Sequence, residues 1–589
     1  MPEYLAPGVY VEETSFRSKS IQGVGTSTTG FAGPTRKGPL GTASDVITSY
    51  GEFERIYGGM ADLTWGGATR AVNHMAHSVR AYFDNGGARL YVSRVFTPRN
   101  VGGATTQASN SAFAGVGEAG AEVGSFRARA PGAGLNGVII AYQKTAPAST
   151  ATLNTAPLGA LARTGAEDAR AYFVKGAVGW VDSADAALDL AALPADTVLV
   201  TLNLELRPGA ASRSGEAEGG SIIYERLGFG AGHPRALATS LARNPSSRSQ
   251  ALAQPYWFDQ VADTTAFSLR AAMFGDGDEG VFTLTGGDDG EAPVTTDDGA
   301  EIVSYTDALA ALEEVSDIAI VAAPGHSAVA DAFQGTQNAL ISHAERLRYR
   351  IAVLDTAVNT GVGDARAVRG RIDSTYAALY YPWVVVPNPA ARPSDDTIPK
   401  ELTLPPSGFI CGIYARNDIQ RGVWKAPANE VVRGALRFER EISRGEQEVL
   451  NPEGVNCLRS FFGRGNRVWG ARTVSSDPEW VYVNIRRYFI YLEHSIDRST
   501  QWAVFEPNGP RLWSNITDTV STFLFAEWRS GALLGTTAEE AYFVRCDRSI
   551  MTQADLDNGR LVCEIGVAAL KPAEFVIFRI GQKTADAQG

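Results

Sequence analysis

Two glycine-rich segments have the spacing that cradles a dinucleotide pyrophosphate. Gly132, Gly134 and Gly137 fit G-x-G-x-x-G, and so do Gly275, Gly277 and Gly280. That chemistry needs a strand before the glycines and a helix after them, so that the helix N-terminus meets the phosphates. Here Val138-Ile139-Ile140 and Val281-Phe282-Thr283-Leu284 follow, and both read as strands. The glycines are therefore read as turn residues. Gly33 to Pro39 approaches a phosphate loop, but Pro39 stands where a lysine would reach phosphate. Asp276, Asp278, Asp288, Asp289, Asp297 and Asp298 make oxygen-rich loops of the kind that hold calcium, without the EF-hand spacing. They are read as solvated loops. His74 and His77 share a helix face, but no cysteine or placed carboxylate completes a zinc set. No metal and no cofactor is expected.

Hydrolysis needs a nucleophile, a base and a group that orients the base. Gly25-Thr26-Ser27 resembles the serine motif of subtilases, in which the serine comes last along the chain. Ser27 instead precedes all six histidines, and no small-residue pair follows it. His326-Ser327 follows a strand-like segment but lacks the G-x-S-x-G elbow. No catalytic constellation survives, and the chain is read as a non-enzyme.

The elements that would position such groups are legible from periodicity. A helix is expected over 67–82, ended by Asp84-Asn85-Gly86-Gly87, with an alternating strand from Arg89 to Phe96 after it. From about 98 to 220 Ala, Gly, Ser and Thr dominate, with short strands such as 138–140 and 197–200. Farther on the pattern becomes strand 318–321, helix 328–347, strand 351–354, helix 363–372 and strand 379–386, where Pro382 makes the last strand start late or bend. Phe333, Leu340, Ile341, Ala344 and Leu347 put one apolar face on that first helix. Such alternation implies parallel pairing with right-handed crossovers. Two long helices are expected near 478–497 and 511–534.

At 589 residues the chain has room for three to four domains of roughly 150 residues each. Hydrophobic residues are 44% and charged residues 20%, which excludes disorder over most of the chain. A formal net charge of −12 argues against a general nucleic-acid or anionic-membrane binder. No basic and apolar leader opens the sequence, and no run reaches the roughly 18 apolar residues of a membrane span. Cys411, Cys457, Cys546 and Cys563 form no CxxC pair and are read as reduced, buried small hydrophobes in a protein made in the cytoplasm.

Each end of the chain carries an apolar strand without a hairpin mate. Near the start it includes Val9, Tyr10 and Val11, and near the end Phe575, Val576, Ile577 and Phe578. Such strands can complete a sheet in another molecule, and contacts that do not close build helical filaments.

The residues then resemble a known family along most of the chain. The strings are Pro7 to Glu13, Thr28 to Gly33, Lys37 to Pro39, Phe83 to Gly87, Leu284 to Gly290, Tyr376 to Trp383, Pro405 to Gly408, Ala415 to Asp418, Arg421 to Asn429, Leu450 to Pro452 and Trp469 to Thr473. Together they resemble the tail sheath proteins of contractile phages and related contractile injection particles, found in phage tails, tailocins and cell-associated systems. The resemblance implies a multidomain α/β and α+β protein. Its parts would be an N-terminal arm (1–22), the N-terminal part of the conserved core (23–97), a β-rich outer insertion (98–245), a subtilisin-like α/β domain without the triad (246–465), an α+β C-terminal domain (466–572) and a C-terminal arm and tail (573–589). It implies a structural subunit that polymerises as a six-start helix with itself around an inner tube protein. Baseplate and tail-terminator or cap proteins would be further partners, without nucleic acid or membrane insertion. On a baseplate signal the polymer would contract and drive the tube through an envelope, with the arms at Gly8–Glu12 and Phe575–Ile580 exchanging strands between subunits. The chain would be made in the bacterial cytoplasm and assembled into a phage tail or injection particle. Two other readings stay open: a serine hydrolase of subtilisin-like fold, and a glycan-binding adhesin acting through 98–245.

Overall fold

The computed structural model describes residues 20–118, 121–165, 170–184, 186–209, 220–297, 299 and 301–577. They form two units. The larger comprises 27–420 and 427–481, and the smaller comprises 20–26, 421–426 and 482–577.

The larger unit is built on a seven-stranded sheet. Its order is Gly465–Val468, Val455–Phe461, Ala377–Tyr381, Ile351–Asp355, Ile320–Ala322, Thr29–Pro34 and Leu90–Val95. Every neighbouring pair is parallel except the edge hairpin made by the first two. Ile351–Asp355 and Ala377–Tyr381 are buried at every position. That burial on both faces is why they read as unbroken apolar runs rather than alternating ones. One face meets helices Tyr305–Glu313, Ala330–Leu347 and Val362–Arg369 through Leu309, Leu312, Leu340, Ala344, Ala365 and Val368. On the other face Tyr380 meets Tyr414 of helix Pro406–Arg421, their hydroxyls 2.6 Å apart. In that helix Gly408 and Gly412 lie one turn apart. A Cβ on either would strike helix His74–Asp84 at Ser78 or Tyr82, so the two backbones touch.

Two expected boundaries shift for physical reasons. The helix expected from 67 begins at His74, because Gly66 and Gly67, both at positive φ, turn a hairpin between Leu63–Trp65 and Thr69–Ala71. Asn73 then caps the helix by accepting from the Ala76 amide. The strand expected over 379–386 divides at Pro382. Ala377–Tyr381 stays in the parallel sheet, and Val384–Pro387 joins Glu401–Leu404 and Arg437–Phe438 in a separate antiparallel sheet.

The β-rich region extends past the expected 245. Its large antiparallel sheet runs Trp180–Val181, Ala171–Lys175, Leu161–Thr164, Val198–Arg207, Gly137–Pro147 and Glu279–Leu284, with Ile222–Leu227 also on Val198–Arg207. A second sheet pairs Tyr256–Gln260, Gly124–Ala128 and Phe113–Val116.

The smaller unit is α+β. Helices Val483–Thr500 and Pro510–Arg529 pack through Tyr488, Leu492, Leu512, Ile516, Val520 and Leu524. Ile516, Val520 and Leu524 repeat at four-residue steps, one helical stripe. Tyr542–Arg545 and Glu564–Val567 make a two-stranded antiparallel sheet beside them. Val423 and Trp424, from the middle of the chain, belong to this core. The unit therefore starts at Tyr482 rather than at the expected 466, and residues 466–481 go with the parallel sheet.

Candidate functional site

In an open parallel sheet, chemistry gathers outside the carboxyl ends of the strands. Here that edge is closed. Asp355 ends its strand fully buried and accepts from the Ser407 amide at 2.7 Å and the Ser407 hydroxyl at 2.6 Å. Ser407 stands in the first turn of helix Pro406–Arg421, so the carboxylate acts as a cap for that helix from 52 residues away. Burial pushes its pKa up to about 7, against the lowering effect of the two Ser407 bonds.

His326 is wholly buried, with Nδ1 2.6 Å from the Ala323 carbonyl. His74 packs edge-on against Trp383, ring centres 5.3 Å apart. Burial pushes both imidazoles down to about 4, and His77 likewise, so all three are neutral at pH 7. Ser327 is buried beside His326, and the Ser27 carbonyl accepts from the Tyr82 hydroxyl at 3.3 Å. The serines and histidines singled out in the sequence thus pack as core and turn residues.

The acidic loops separate into distinct ion pairs. Arg170 grips both Asp278 oxygens at 2.9 and 3.1 Å. Arg99 pairs with Asp288. Asp289 is buried and accepts from the amides of Ala133 at 2.9 Å and Thr64 at 3.0 Å. Burial raises its pKa, opposed by the charges of Arg36 and Arg94. Asp297 accepts from the Gly299 amide, and Asp298 lies outside the described residues. Among the described residues no group of His, Cys, Asp and Glu is arranged to hold a metal. Of the G-x-G-x-x-G glycines, Gly137 and Gly280 stand in strands Gly137–Pro147 and Glu279–Leu284 rather than in turns. Gly132 has a positive φ and no room for a Cβ beside the Arg36 carbonyl, while Gly275 caps helix Ala266–Phe274.

The remaining candidates are the chain ends, and both are rooted on one helix. The segment 20–26 lies along Val483–Thr500. Its Gln22 amide donates to Ser499 Oγ at 3.3 Å, and its Val24 amide to Ser495 Oγ at 3.1 Å. Arg487 Nη2 donates to the Thr26 carbonyl at 3.0 Å. A side chain at Gly23 would run into the Tyr491 hydroxyl. At the other end, Asn484 Nδ2 donates to the Leu570 carbonyl at 3.1 Å and Tyr482 Oη to Glu574 at 3.0 Å. Beyond that anchor Phe575, Val576 and Ile577 are 74%, 68% and 78% exposed and lie in no strand. Val9, Tyr10, Val11 and Phe578 lie outside the described residues.

Beside these roots stands the two-stranded sheet. Phe543 covers Gly566 directly across the ladder, and no further strand pairs with it among the described residues. A two-stranded sheet is marginal by itself, and just past Glu564–Val567 the Leu534 amide donates to the Ala568 carbonyl at 2.8 Å.

Comparison with known proteins fits this arrangement. Residues 298–474 match the model of the phage tail sheath protein central domain, and 475–583 match that of the phage tail sheath C-terminal domain. The chain belongs to the tail sheath protein family. This family is structural, not enzymatic. A putative prophage major tail sheath protein of Pseudomonas aeruginosa is 26% identical over 267 residues, 44% of this chain and 64% of that one. The tail sheath protein of Burkholderia phage BcepMu is 27% identical over 226 residues, 34% of this chain and 45% of that one. The chain thus spans less than two thirds of either curated relative. Two solved structures share the fold. One is the anti-feeding prophage helical sheath in its contracted state, with TM-score 0.52 and 20% identity over 99% of this chain and all of that one. The other is a sheath tail protein of Listeria innocua, with TM-score 0.52 and 11% identity over 94% and 97%. Neither the serine-hydrolase nor the adhesin alternative finds support among these relatives.

Proposed function

We propose that this chain is the repeating subunit of a contractile sheath, polymerising helically around an inner tube and contracting to drive that tube through a target envelope. The observation that carries the proposal is that segments 20–26 and 570–577 are both anchored on one helix, in a unit whose sheet has only two strands among the described residues. An end strand of one subunit can add to that sheet in the next, through backbone hydrogen bonds. Covering each apolar side chain of Phe575, Val576 and Ile577 contributes about 1.5–3 kcal/mol. Val9, Tyr10, Val11 and Phe578 extend the same donor strands on this reading. A strand at each end of every chain gives each subunit separate connections to its neighbours, and contacts that do not close build a helical polymer.

The central domain is read as a subtilisin-like α/β domain without the catalytic triad, a reading that the parallel sheet and its flanking helices support. The inner tube, a baseplate and a terminator or cap protein are the partners that follow. The place of assembly is a phage tail or an injection particle, after synthesis in the bacterial cytoplasm. The energy of contraction comes from new subunit contacts, so no nucleotide site is needed.

Negative-stain electron microscopy of the protein expressed alone, and again with its tube protein, tests the proposal. Hollow cross-striated tubes are expected, and a chain shortened to 20–574 should stay folded and monomeric. Tubes formed at normal yield by the shortened chain would rule out strand exchange.

A further inference from the structure

The four thiols differ in their surroundings. Cys411 and Cys457 are fully buried in the larger unit, on helix Pro406–Arg421 and strand Val455–Phe461. Cys546 and Cys563 lie in the smaller unit, at the open end of its strand pair. The ladder pairs Tyr542 with Val567, Phe543 with Gly566, Val544 with Ile565 and Arg545 with Glu564. One more step in the same register sets Cys546 opposite Cys563. Each thiol sits close enough to the other to act on its titration.

We propose that Cys546 and Cys563 form an oxidisable pair whose disulfide staples the open end of the Tyr542–Arg545/Glu564–Val567 sheet. Directly opposed residues of an antiparallel pair have Cα atoms about 4.5–5.5 Å apart. Disulfides accept Cα separations of about 4.4–6.8 Å, so this register is compatible with the bond. Cys546 is 7% exposed, whereas Cys563 is half-buried, so a small oxidant enters at Cys563.

The oxidant is a low-molecular-weight disulfide. The Cys563 thiolate attacks one of its sulfurs and expels one small thiol. The Cys546 thiolate then attacks Cys563 sulfur in the mixed disulfide and expels the second. The two cysteine protons end on the two released thiols, and the small disulfide is reduced as the protein pair is oxidised. Burial pushes the Cys563 thiol up to about 12, with Cys546 beside it adding to the rise, and burial raises Cys546 as well. Thiolate is therefore scarce at neutral pH, and the exchange is slow there and quickens in alkali. The bond would close the loop 547–562, which carries the short helix Gln553–Asp557.

The test uses the full chain and oxidised glutathione, read by thiol titration, intact mass and peptide mapping. The four titratable thiols should fall to two, with the loss of two hydrogen atoms and one linked peptide joining Cys546 to Cys563. Unfolding of the smaller unit should shift to higher temperature and return on reduction. Cys546→Ser should stop at a stable glutathione adduct on Cys563, without the thermal shift. Four free thiols after prolonged treatment at raised pH, or a linkage through Cys411 or Cys457, would overturn the proposal. None of these readings requires assembly, so they stand or fall apart from the sheath function.

Discussion

The buried carboxyl of Asp355 makes the stability of the larger unit depend on pH in a way a single substitution can isolate. Its folded pKa is raised to about 7 from an ordinary 3.8, chiefly by burial. A raised folded pKa means the folded state holds the proton more tightly than the unfolded chain. The resulting stabilisation is complete below pH 3.8 and is lost as pH rises towards 7. The interval of about 3 pH units corresponds to about 4 kcal/mol at 1.36 kcal/mol per unit. Asp355→Asn keeps an oxygen to accept from the Ser407 amide and an amide group to donate to the Ser407 hydroxyl, but cannot titrate. The variant should therefore gain on the native protein by about 4 kcal/mol between pH 4 and pH 7.5, roughly 4 °C in unfolding temperature for a unit of this size. Scanning calorimetry on unassembled protein at four or five pH values reads this difference. The buried histidines, whose lowered pKa values weaken the fold as pH falls below 6.5, act equally on both proteins and cancel. A difference that stays flat across the range would mean that Asp355 is ionised throughout, and that the cap outweighs burial.

Two further perturbations test the anchors. Asp289→Ala removes a buried negative charge that acts on Arg36 and Arg94 and leaves the Thr64 and Ala133 amides without an acceptor. It should lower stability by about 3–5 kcal/mol in chemical denaturation, and a loss under 1 kcal/mol would place the charge compensation elsewhere. Gly23→Val should lift segment 20–26 from its helix, since the Tyr491 hydroxyl fills the space. Amide exchange at Gln22 and Val24 should quicken and tube yield should drop, with the unfolding temperature of the larger unit unchanged. Protection equal to that of the native protein would show that the Ser495 and Ser499 bonds do not hold the segment.

Local pattern carried the elements with strong periodicity. Helix Ala330–Leu347 and strand Ile351–Asp355 lie within two residues of the expected 328–347 and 351–354, because one apolar face and one fully apolar run leave little choice. The start of helix His74–Asp84 was legible but outweighed. Gly66-Gly67 is a hairpin signal and Asn73 a cap signal, while the helical run around them reads as one piece. The site features were not legible. Asp355 meets Ser407 across 52 residues and Gln22 meets Ser499 across 477, and such pairs leave no local spacing to detect. The acidic loops looked uniform in sequence, yet only partners brought by folding distinguish solvated Asp297 from buried Asp289. Likewise Cys546 and Cys563 show no motif, and only the ladder register makes them neighbours.

The common root of the two ends fixes a path for force. Tension applied between the first described segment, 20–26, and the last, 570–577, passes through helix Val483–Thr500. On one side it is held by Ser495, Ser499 and Arg487, and on the other by Asn484 and Tyr482. The chain between them, including the parallel sheet and the whole β-rich insertion, leaves this unit and returns to it as closed loops. Those loops lie outside this chain of hydrogen bonds. A row of such chains linked end to end would behave as a string of short two-helix links, with every other domain hung from it as freight. The freight can grow, shrink or turn outward without lengthening the string.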